Sequence, residues 1–231
     1  MSKPDDAPIY LCSPVNALVE GVYEERIPLP EVLAHGDFGL GTFDQLDGEM
    51  VILDGEVFQV DGEGAVRKVD AATAHTPFAC VTRWRPLSTE IIEHGLDATG
   101  FEALLQALMP SPNLFYAIRV EGEFSLVEAR SVPRQDSYRP LVEVARQQKE
   151  LQFANVRGTL AGFYTPAYMA TLNVPGVHLH FLSEDRQQGG HVMSCAPRRV
   201  RVGLQIIRRM ELTLPITLDY LTLDFKRDVV G

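Results

Sequence analysis

The sequence predicts an α+β protein with two sheet-centred domains, built from mostly antiparallel or mixed β-sheets and a few short helices. Two observations predict this class. Asp47-Gly48, Asp54-Gly55 and Asp61-Gly62 recur every seven residues, and Asp-Gly between apolar alternations is a strong signal for β-hairpins. From Val156 onward apolar and polar residues again alternate as in strands, whereas helical spacing is confined to short stretches.

The N-terminal domain, residues 1–139, is predicted to contain an antiparallel meander. Ser13-Pro14 and Pro30 each open a short helix, because proline is favoured in the first helical turn. Phe101, Leu105 and Leu108 lie at helical spacing and predict an amphipathic helix over about 100–109. Strands are predicted at about 39–45, 49–53, 56–60, 65–69 and 77–84, with a hairpin at Glu121-Gly122 joining about 115–120 to 124–132.

The C-terminal domain, residues 140–231, follows a polar, proline-bounded segment at 134–139 that is the candidate linker. A helix is predicted from Pro140 to about Gln148. Strands are predicted at about 156–164, 176–182, 190–195, 199–207 and 209–214.

Composition excludes several classes of partner. The chain of 231 residues carries a formal net charge of −10, which argues against nucleic-acid binding, since phosphate contacts require clustered Lys and Arg. No run of about 18 apolar residues is present, so no membrane span is predicted. Cys12, Cys80 and Cys195 are scattered, and no signal peptide is visible. Both features predict a reduced, cytoplasmic protein.

Half of the six histidines lie between Gly176 and His191. His178 and His180 alternate with apolar residues, so a strand would place both on one face, roughly 7 Å apart. Gly189-Gly190 precedes His191 after a polar turn region, and a hairpin would return His191 opposite the pair. Three imidazoles without a fourth protein ligand are typical of a catalytic zinc site, which keeps a position open for water or substrate.

Other readings of this pattern remain open at this point. The histidines can be ordinary residues on the polar face of a strand. His-x-His followed by Glu184 is similar to a first cupin motif, but His191 comes too soon for the later cupin histidine. A different metal-dependent enzyme on a cupin-like barrel and a non-catalytic module that binds a small carboxylate are therefore the alternatives.

Charged residues elsewhere are candidates to serve such a metal. Glu49 directly follows the Asp47-Gly48 turn, where a carboxylate can also face solvent without a role. Arg119 and Arg130 lie in adjacent predicted strands. Either guanidinium can bind a substrate carboxylate in a bidentate manner, and the pattern alone does not choose between them.

Four long segments make a family resemblance specific. The chain contains GDFGLGTFDQLDGE from Gly36, FYAIRVEGEF from Phe115, VRGTLAGFYTPAY from Val156 and HLHFLSEDRQQGGHV from His178. In this order they resemble the alpha-acetolactate decarboxylase family. The resemblance implies two sheet-based domains, a homodimer, and one Zn²⁺ bound by the three histidines that match His178, His180 and His191.

The same resemblance implies further site residues. Glu49 matches the active-site glutamate, with Thr42 nearby in the substrate pocket, and the substrate-binding arginine matches Arg130 rather than Arg119. The family also uses a glutamate in its C-terminal tail. This chain has Asp224 and Asp228 there and no glutamate, so that acidic role is left to one of the aspartates or to neither.

The implied reaction converts 2-acetolactate to acetoin and carbon dioxide, as in acetoin and butanediol metabolism. Loss of carbon dioxide from this β-keto acid leaves an enediolate, whose charge a zinc ion can stabilise as a Lewis acid. Glu49 is the candidate acid that protonates it, and Arg130 is the candidate that holds the carboxylate.

Overall fold

The computed structural model describes residues 7–23, 26–135, 141–144 and 148–225. Its helices are α1 (Val15–Val19), α2 (Leu29–His35), α3 (Ala98–Leu108), α4 (Leu141–Val144) and α5 (Leu218–Thr222). Its strands are β1 (Ile9–Leu11), β2 (Ile27–Pro28), β3 (Phe38–Thr42), β4 (Glu49–Leu53), β5 (Glu56–Val60), β6 (Val66–Lys68), β7 (His75–Thr76), β8 (Ala79–Thr82), β9 (Ser88–Ile92), β10 (Phe115–Ser131), β11 (Lys149–Thr165), β12 (Gly176–Ser183), β13 (Gly189–Ile207) and β14 (Met210–Leu212).

The first sheet contains the predicted meander. Its strand order is β14-β1-β8-β3-β4-β5-β6. Neighbouring strands are antiparallel except for β1 and β14, which pair in parallel. Asp54 and Gly55 form the turn between β4 and β5 with positive φ at both positions, as an Asp-Gly hairpin requires. The predicted α+β class is confirmed, and strands predominate.

The second sheet is built from the longest strands, in the order β10-β11-β12-β13-β9. β10 also pairs with β13, so β10, β11, β12 and β13 close into a ring. Strand β9 extends this sheet by pairing with β13. A separate two-stranded ribbon joins β2 to β7.

The predicted hairpin at Glu121-Gly122 is wrong, because β10 runs through this point as one strand. Residues on both sides of Gly122 pair with β11 and with β13 in continuous antiparallel ladders. Gly122 has φ +146, and a Cβ there would lie 2.2 Å from the carbonyl oxygen of Arg199. The glycine therefore permits close contact between strands where the sequence pattern indicated a turn.

The two sheets do not divide at residue 139, where the sequence placed the domain boundary. β9 and β10 precede this position and pair with β11 and β13 of the second sheet. β14 follows it and pairs with β1 of the first sheet. Residues 136–139 of the candidate linker lie outside the described residues. The predicted boundary fails for the sheets because strand pairing joins segments that are distant in sequence. A polar segment between two stretches of chain does not indicate which strands pair.

The core consists of three packed apolar clusters. One joins the two sheets and includes Leu40, Val51, Ala161 and Phe163. A second packs α3 on the second sheet, and a third packs α2 on the outer face of the first. None of the helices in the described ranges has the length and apolarity needed to span a membrane. Strands β3 and β4 of the first sheet contact β11 and β12 of the ring. The candidate site lies between these two pairs of strands.

Candidate active site

The three predicted histidines converge on one point. His178 and His180 lie on one face of β12, and His180 is paired in register with His191 of β13. Nε2 of His178 lies 3.2 Å from Nε2 of His180 and 3.2 Å from Nδ1 of His191. The predicted hairpin return is therefore confirmed, and two adjacent strands present all three rings to the same space.

All three rings favour the neutral form. Burial lowers the pKa of His180 to about 4 and lowers the pKa of His178 and His191 well below the ordinary value, and the positive charge of Arg130 contributes in each case. Nδ1 of His180 lies 2.8 Å from the backbone carbonyl oxygen of Met50. Because that oxygen only accepts, Nδ1 donates and Nε2 of His180 keeps its lone pair.

This donor set fits a metal ion. The ligand atoms of the three histidines lie within 4.8 Å of one another. A ring nitrogen has one proton or one lone pair in its plane, so Nε2 of His178 cannot form an ordinary hydrogen bond to both neighbours. A cation bound by three lone pairs resolves this conflict. Histidines that bind a metal usually donate a hydrogen bond from their second ring nitrogen to a carboxylate or a backbone carbonyl. His180 has such a partner in the carbonyl oxygen of Met50.

Glu49 begins β4 and reaches the histidines from the first sheet. Its Oε2 lies 3.3 Å from Nε2 of His180, and the residue is 9% exposed. Burial raises the pKa of its carboxyl to about 7, although the charge of Arg130 opposes this change. The interpretation of Glu49 as a solvated strand end is therefore wrong, since the carboxyl is buried beside the three histidines.

The turn before Glu49 is held in place by side chains. Gly48 has φ +80, and a Cβ there would lie 2.0 Å from the carbonyl oxygen of Val60, so only glycine fits. The hydroxyl of Thr42 donates to the carbonyl oxygen of Gly48 at 2.7 Å. The amide of Gln59 donates to the carbonyl oxygen of Asp47 at 2.5 Å. Thr42 thus lines the cavity and also fixes the backbone that carries Glu49.

The structure separates the two candidate arginines. Arg130 lies near the end of β10, is paired in register with His191, and lines the same cavity as the histidines. Arg119 donates two hydrogen bonds to Asp54, at 2.8 and 3.1 Å, and forms an ion pair with Glu121 at 2.7 Å. The guanidinium of Arg130 is therefore directed to the site, whereas Arg119 joins the two sheets through its ion pair with Asp54.

The cavity has a volume of about 420 Å³ and combines a polar end with an apolar wall. Its polar end contains Glu49, Arg130, Gln148 and the three histidines. Its wall is formed by Val15, Leu18, Val19, Leu46, Phe78, Val132, Leu141 and Val174. Such a site can bind a small molecule that has a carboxylate, further oxygen atoms and short alkyl groups.

One of the two tail aspartates can be placed relative to this cavity. Asp224 is exposed and does not line it. Asp228 lies outside the described residues. Among the part of the chain that the structure describes, the acidic residue that lines the cavity is Glu49.

Comparison with known proteins is decisive for the family. A profile of the family described as alpha-acetolactate decarboxylase matches residues 9–227. A protein of that name from Methanosarcina mazei is 42% identical over 213 residues, which cover 92% of this chain and 74% of the relative. The chain belongs to the alpha-acetolactate decarboxylase family.

Further relatives agree with this membership. The alpha-acetolactate decarboxylase of Methylococcus capsulatus is 40% identical over 97% of this chain and 86% of its own length. The crystal structure of alpha-acetolactate decarboxylase from Bacillus subtilis strain 168 superposes with a TM-score of 0.92 at 38% identity, covering 96% of this chain and 94% of that one. The fold agrees with the one predicted from the sequence. The enzyme class of the family, that of the carboxy-lyases, is also the predicted one.

Three groups at this decarboxylase-family site were not predicted from sequence. They are the backbone carbonyl of Met50, the side chain of Gln59 and the side chain of Gln148. A backbone carbonyl has no signature in a sequence, since every residue has one. The two glutamines are uncharged and belong to no recognisable sequence motif. Their contacts become visible only in the folded structure.

Proposed function

We propose that this chain catalyses the zinc-dependent decarboxylation of 2-acetolactate to acetoin and carbon dioxide. The observation that carries the proposal is the convergence of three neutral imidazoles, a buried carboxyl and an arginine in one cavity of a member of this family. Under this proposal Glu49 and Arg130 are the catalytic residues, and His178, His180 and His191 hold the metal.

Zinc is the ion that the donor set supports best. Three histidines that leave a position open are typical of catalytic zinc, and neutral imidazole is its usual nitrogen ligand. When bound, zinc supplies a Lewis acid that stabilises negative charge on substrate oxygen atoms.

Arg130 holds the substrate carboxylate at the polar end of the cavity. A guanidinium matches a carboxylate with two parallel hydrogen bonds and so fixes its direction. The apolar wall accepts the methyl groups of the substrate and excludes water, which strengthens the electrostatic interactions inside. Substrate orientation is therefore determined by charge at one end and by shape at the other.

Glu49 provides the proton that completes the reaction. Loss of carbon dioxide leaves an electron pair on the substrate, and a positioned acid must deliver a proton to one face of it. In the metal-free chain burial raises the pKa of this carboxyl to about 7, and a raised pKa suits a general acid. Its fixed position beside His180 places the proton on one side of the cavity and so favours one enantiomer of acetoin.

Metal analysis combined with product analysis tests the proposal. The purified protein is expected to contain about one zinc per chain and to form acetoin from racemic 2-acetolactate. Removal of the metal with a chelator should abolish the activity, and added zinc should restore it. Zinc-loaded protein that binds small carboxylates without forming acetoin would support the non-catalytic alternative. Turnover that requires iron and oxygen would support the cupin-like alternative.

We also propose that the chain forms a homodimer and acts in the cytoplasm. The dimer is supported by apolar side chains that the C-terminal segment exposes, namely Leu214, Ile216, Leu218 and Leu221, because contiguous exposed apolar residues are typical of protein interfaces. Sedimentation analysis of the wild type and of Ile216→Glu tests the dimer. Three buried free cysteines are consistent with a reducing compartment.

A further inference from the structure

Gln148 is the polar neighbour of Arg130 in the cavity. It directly precedes β11, at the point where Lys149 pairs with Ser131 at the end of β10. Its side-chain oxygen accepts a hydrogen bond from Nη1 of Arg130 at 2.9 Å. Both residues line the same cavity as the histidines. One edge of the guanidinium is therefore occupied, and Nη2 points toward His191, 3.5 Å from its Nε2.

Gln148 is an uncharged hydrogen-bond partner for Arg130, and this affects the charge that Arg130 presents to the cavity. An amide oxygen orients a guanidinium without cancelling its charge, whereas a carboxylate orients and neutralises it. Arg119 of the same chain shows the second arrangement, since Asp54 and Glu121 both pair with it. Among the described residues that line the cavity, Glu49 is the acidic one, so the charge of Arg130 stays available.

We propose that Gln148 is a positioning residue that directs Arg130 and preserves its positive charge for the carboxylate of the substrate. This inference rests on the proposed function, because it assigns the charge of Arg130 to substrate binding. The apolar wall increases the importance of the charge, since electrostatic interactions are stronger where water is excluded. A glutamate at this position would hold the guanidinium equally well and would repel the incoming carboxylate.

Two substitutions separate the two parts of this role. Gln148→Glu keeps the shape and the hydrogen bond but adds a negative charge. We expect its KM for 2-acetolactate to rise roughly ten- to a hundredfold, as expected when an interaction with a charged group is lost. Gln148→Met keeps the approximate size but removes the acceptor, and we expect a rise of about three- to tenfold. In both variants kcat should change less than KM.

Gln152→Glu is the matched control, because it places the same new charge on β11 at an exposed position outside the cavity. Its KM should equal that of the wild type. A merely structural role of Gln148 predicts the opposite ranking, with Gln148→Glu equal to the wild type and Gln148→Met impaired. That ranking, or wild-type KM in both variants, would overturn the proposal. If Gln148→Glu does not fold, Gln148→Met tests the positioning part of the role, and a wild-type KM in that variant overturns the proposal.

A binding measurement distinguishes this proposal from the proposed function. The probe is 2-hydroxy-2-methylpropanoate, a hydroxy acid without a keto group, which cannot lose carbon dioxide by the same route. Calorimetric titration should show weaker binding to Gln148→Glu than to the wild type, and no change for Gln152→Glu. If the wild-type protein forms no acetoin, the proposed function is contradicted. Equal binding of the probe to the wild type and both Gln148 variants contradicts the role of Gln148.

Discussion

Oε2 of Glu49 lies 3.3 Å from Nε2 of His180, and the carbonyl oxygen of Met50 lies 2.8 Å from Nδ1 of the same ring. Two consecutive residues of β4 in the first sheet therefore contact both nitrogen atoms of a histidine in the second sheet. The orientation of the His180 ring and the position of the buried carboxyl are therefore determined by one strand. A displacement of this strand should therefore disturb the His180 ring and the carboxyl of Glu49 together.

Replacement of Glu49 by glutamine should remove the acid and leave the metal. Glutamine keeps the shape and can form hydrogen bonds, but it cannot donate and regain a proton. We expect kcat to fall by roughly 10²–10⁴-fold with zinc still bound, the range typical of general acids and bases. Steady-state kinetics and metal analysis provide the measurement.

The stereochemistry of the product adds a second readout for Glu49→Gln. If carbon dioxide is still released, protonation from bulk water should lower the enantiomeric purity of acetoin, measurable by chiral chromatography. Wild-type rate and stereochemistry in this variant would show that Glu49 has no catalytic role.

The raised pKa of Glu49 predicts a pH-dependent stability of the metal-free protein. The folded pKa of about 7 exceeds the ordinary value of 4.5, so the folded state retains a proton that the unfolded state releases. Stability should therefore fall as pH rises from about 4.5 through 7. Integrated over this range, the loss is on the order of 3 kcal/mol.

Denaturant unfolding at pH 5 and pH 8 measures this loss, with metal-free Glu49→Gln as the reference. The variant should gain stability relative to the wild type as pH rises. Histidines with lowered pKa values act in the opposite direction, since they destabilise the fold below pH 6.5, but they are common to both proteins. A constant difference between the two proteins across this range would contradict the assigned pKa shift.

Replacement of His178, His180 or His191 by alanine should remove zinc and activity together. Three ligands leave no redundancy, so each loss reduces the set to two. Global stability should decrease less than in a small zinc domain, because the apolar core between the sheets does not depend on the metal. Metal content and thermal unfolding are the measurements, and zinc retention in any two of the variants would contradict the assignment.

Replacement of Arg130 by lysine should weaken substrate binding without changing the zinc content. Lysine keeps the charge but lacks the planar fork that binds a carboxylate with two hydrogen bonds. Arg119→Lys is the matched control, since Arg119 pairs with Asp54 and Glu121 away from the cavity. The KM of Arg130→Lys should rise while that of Arg119→Lys stays unchanged. The reverse result would mean that the wrong arginine was chosen.

Thr42→Val distinguishes a substrate contact from a structural one. Valine has nearly the same shape but cannot donate to the carbonyl oxygen of Gly48. If Thr42 mainly fixes the turn before Glu49, kcat should fall more than KM rises, and stability should decrease by about 1 kcal/mol. A rise in KM alone, at unchanged kcat, would instead indicate that the hydroxyl binds substrate.

Local patterns in the sequence determined much of this protein. The Asp-Gly turns predicted the meander because this pair accepts the left-handed backbone of tight hairpins. His178 and His180 were placed on one face because side chains alternate along a strand, and Gly189-Gly190 predicted the return that pairs His180 with His191. These are short-range consequences of backbone geometry, which a sequence records directly.

Only the tertiary structure decided the remaining features. Gly122 looked like a turn because its freedom of φ serves both turns and close strand contacts, and pairing with β11 and β13 determines which applies. The burial of Glu49, the ion pair of Arg119 with Asp54 and the contact of Arg130 with Gln148 arise between segments far apart in the chain. Burial, ion pairing and pKa depend on neighbours in space, and strand pairing together with the packing of the two sheets brings those neighbours together.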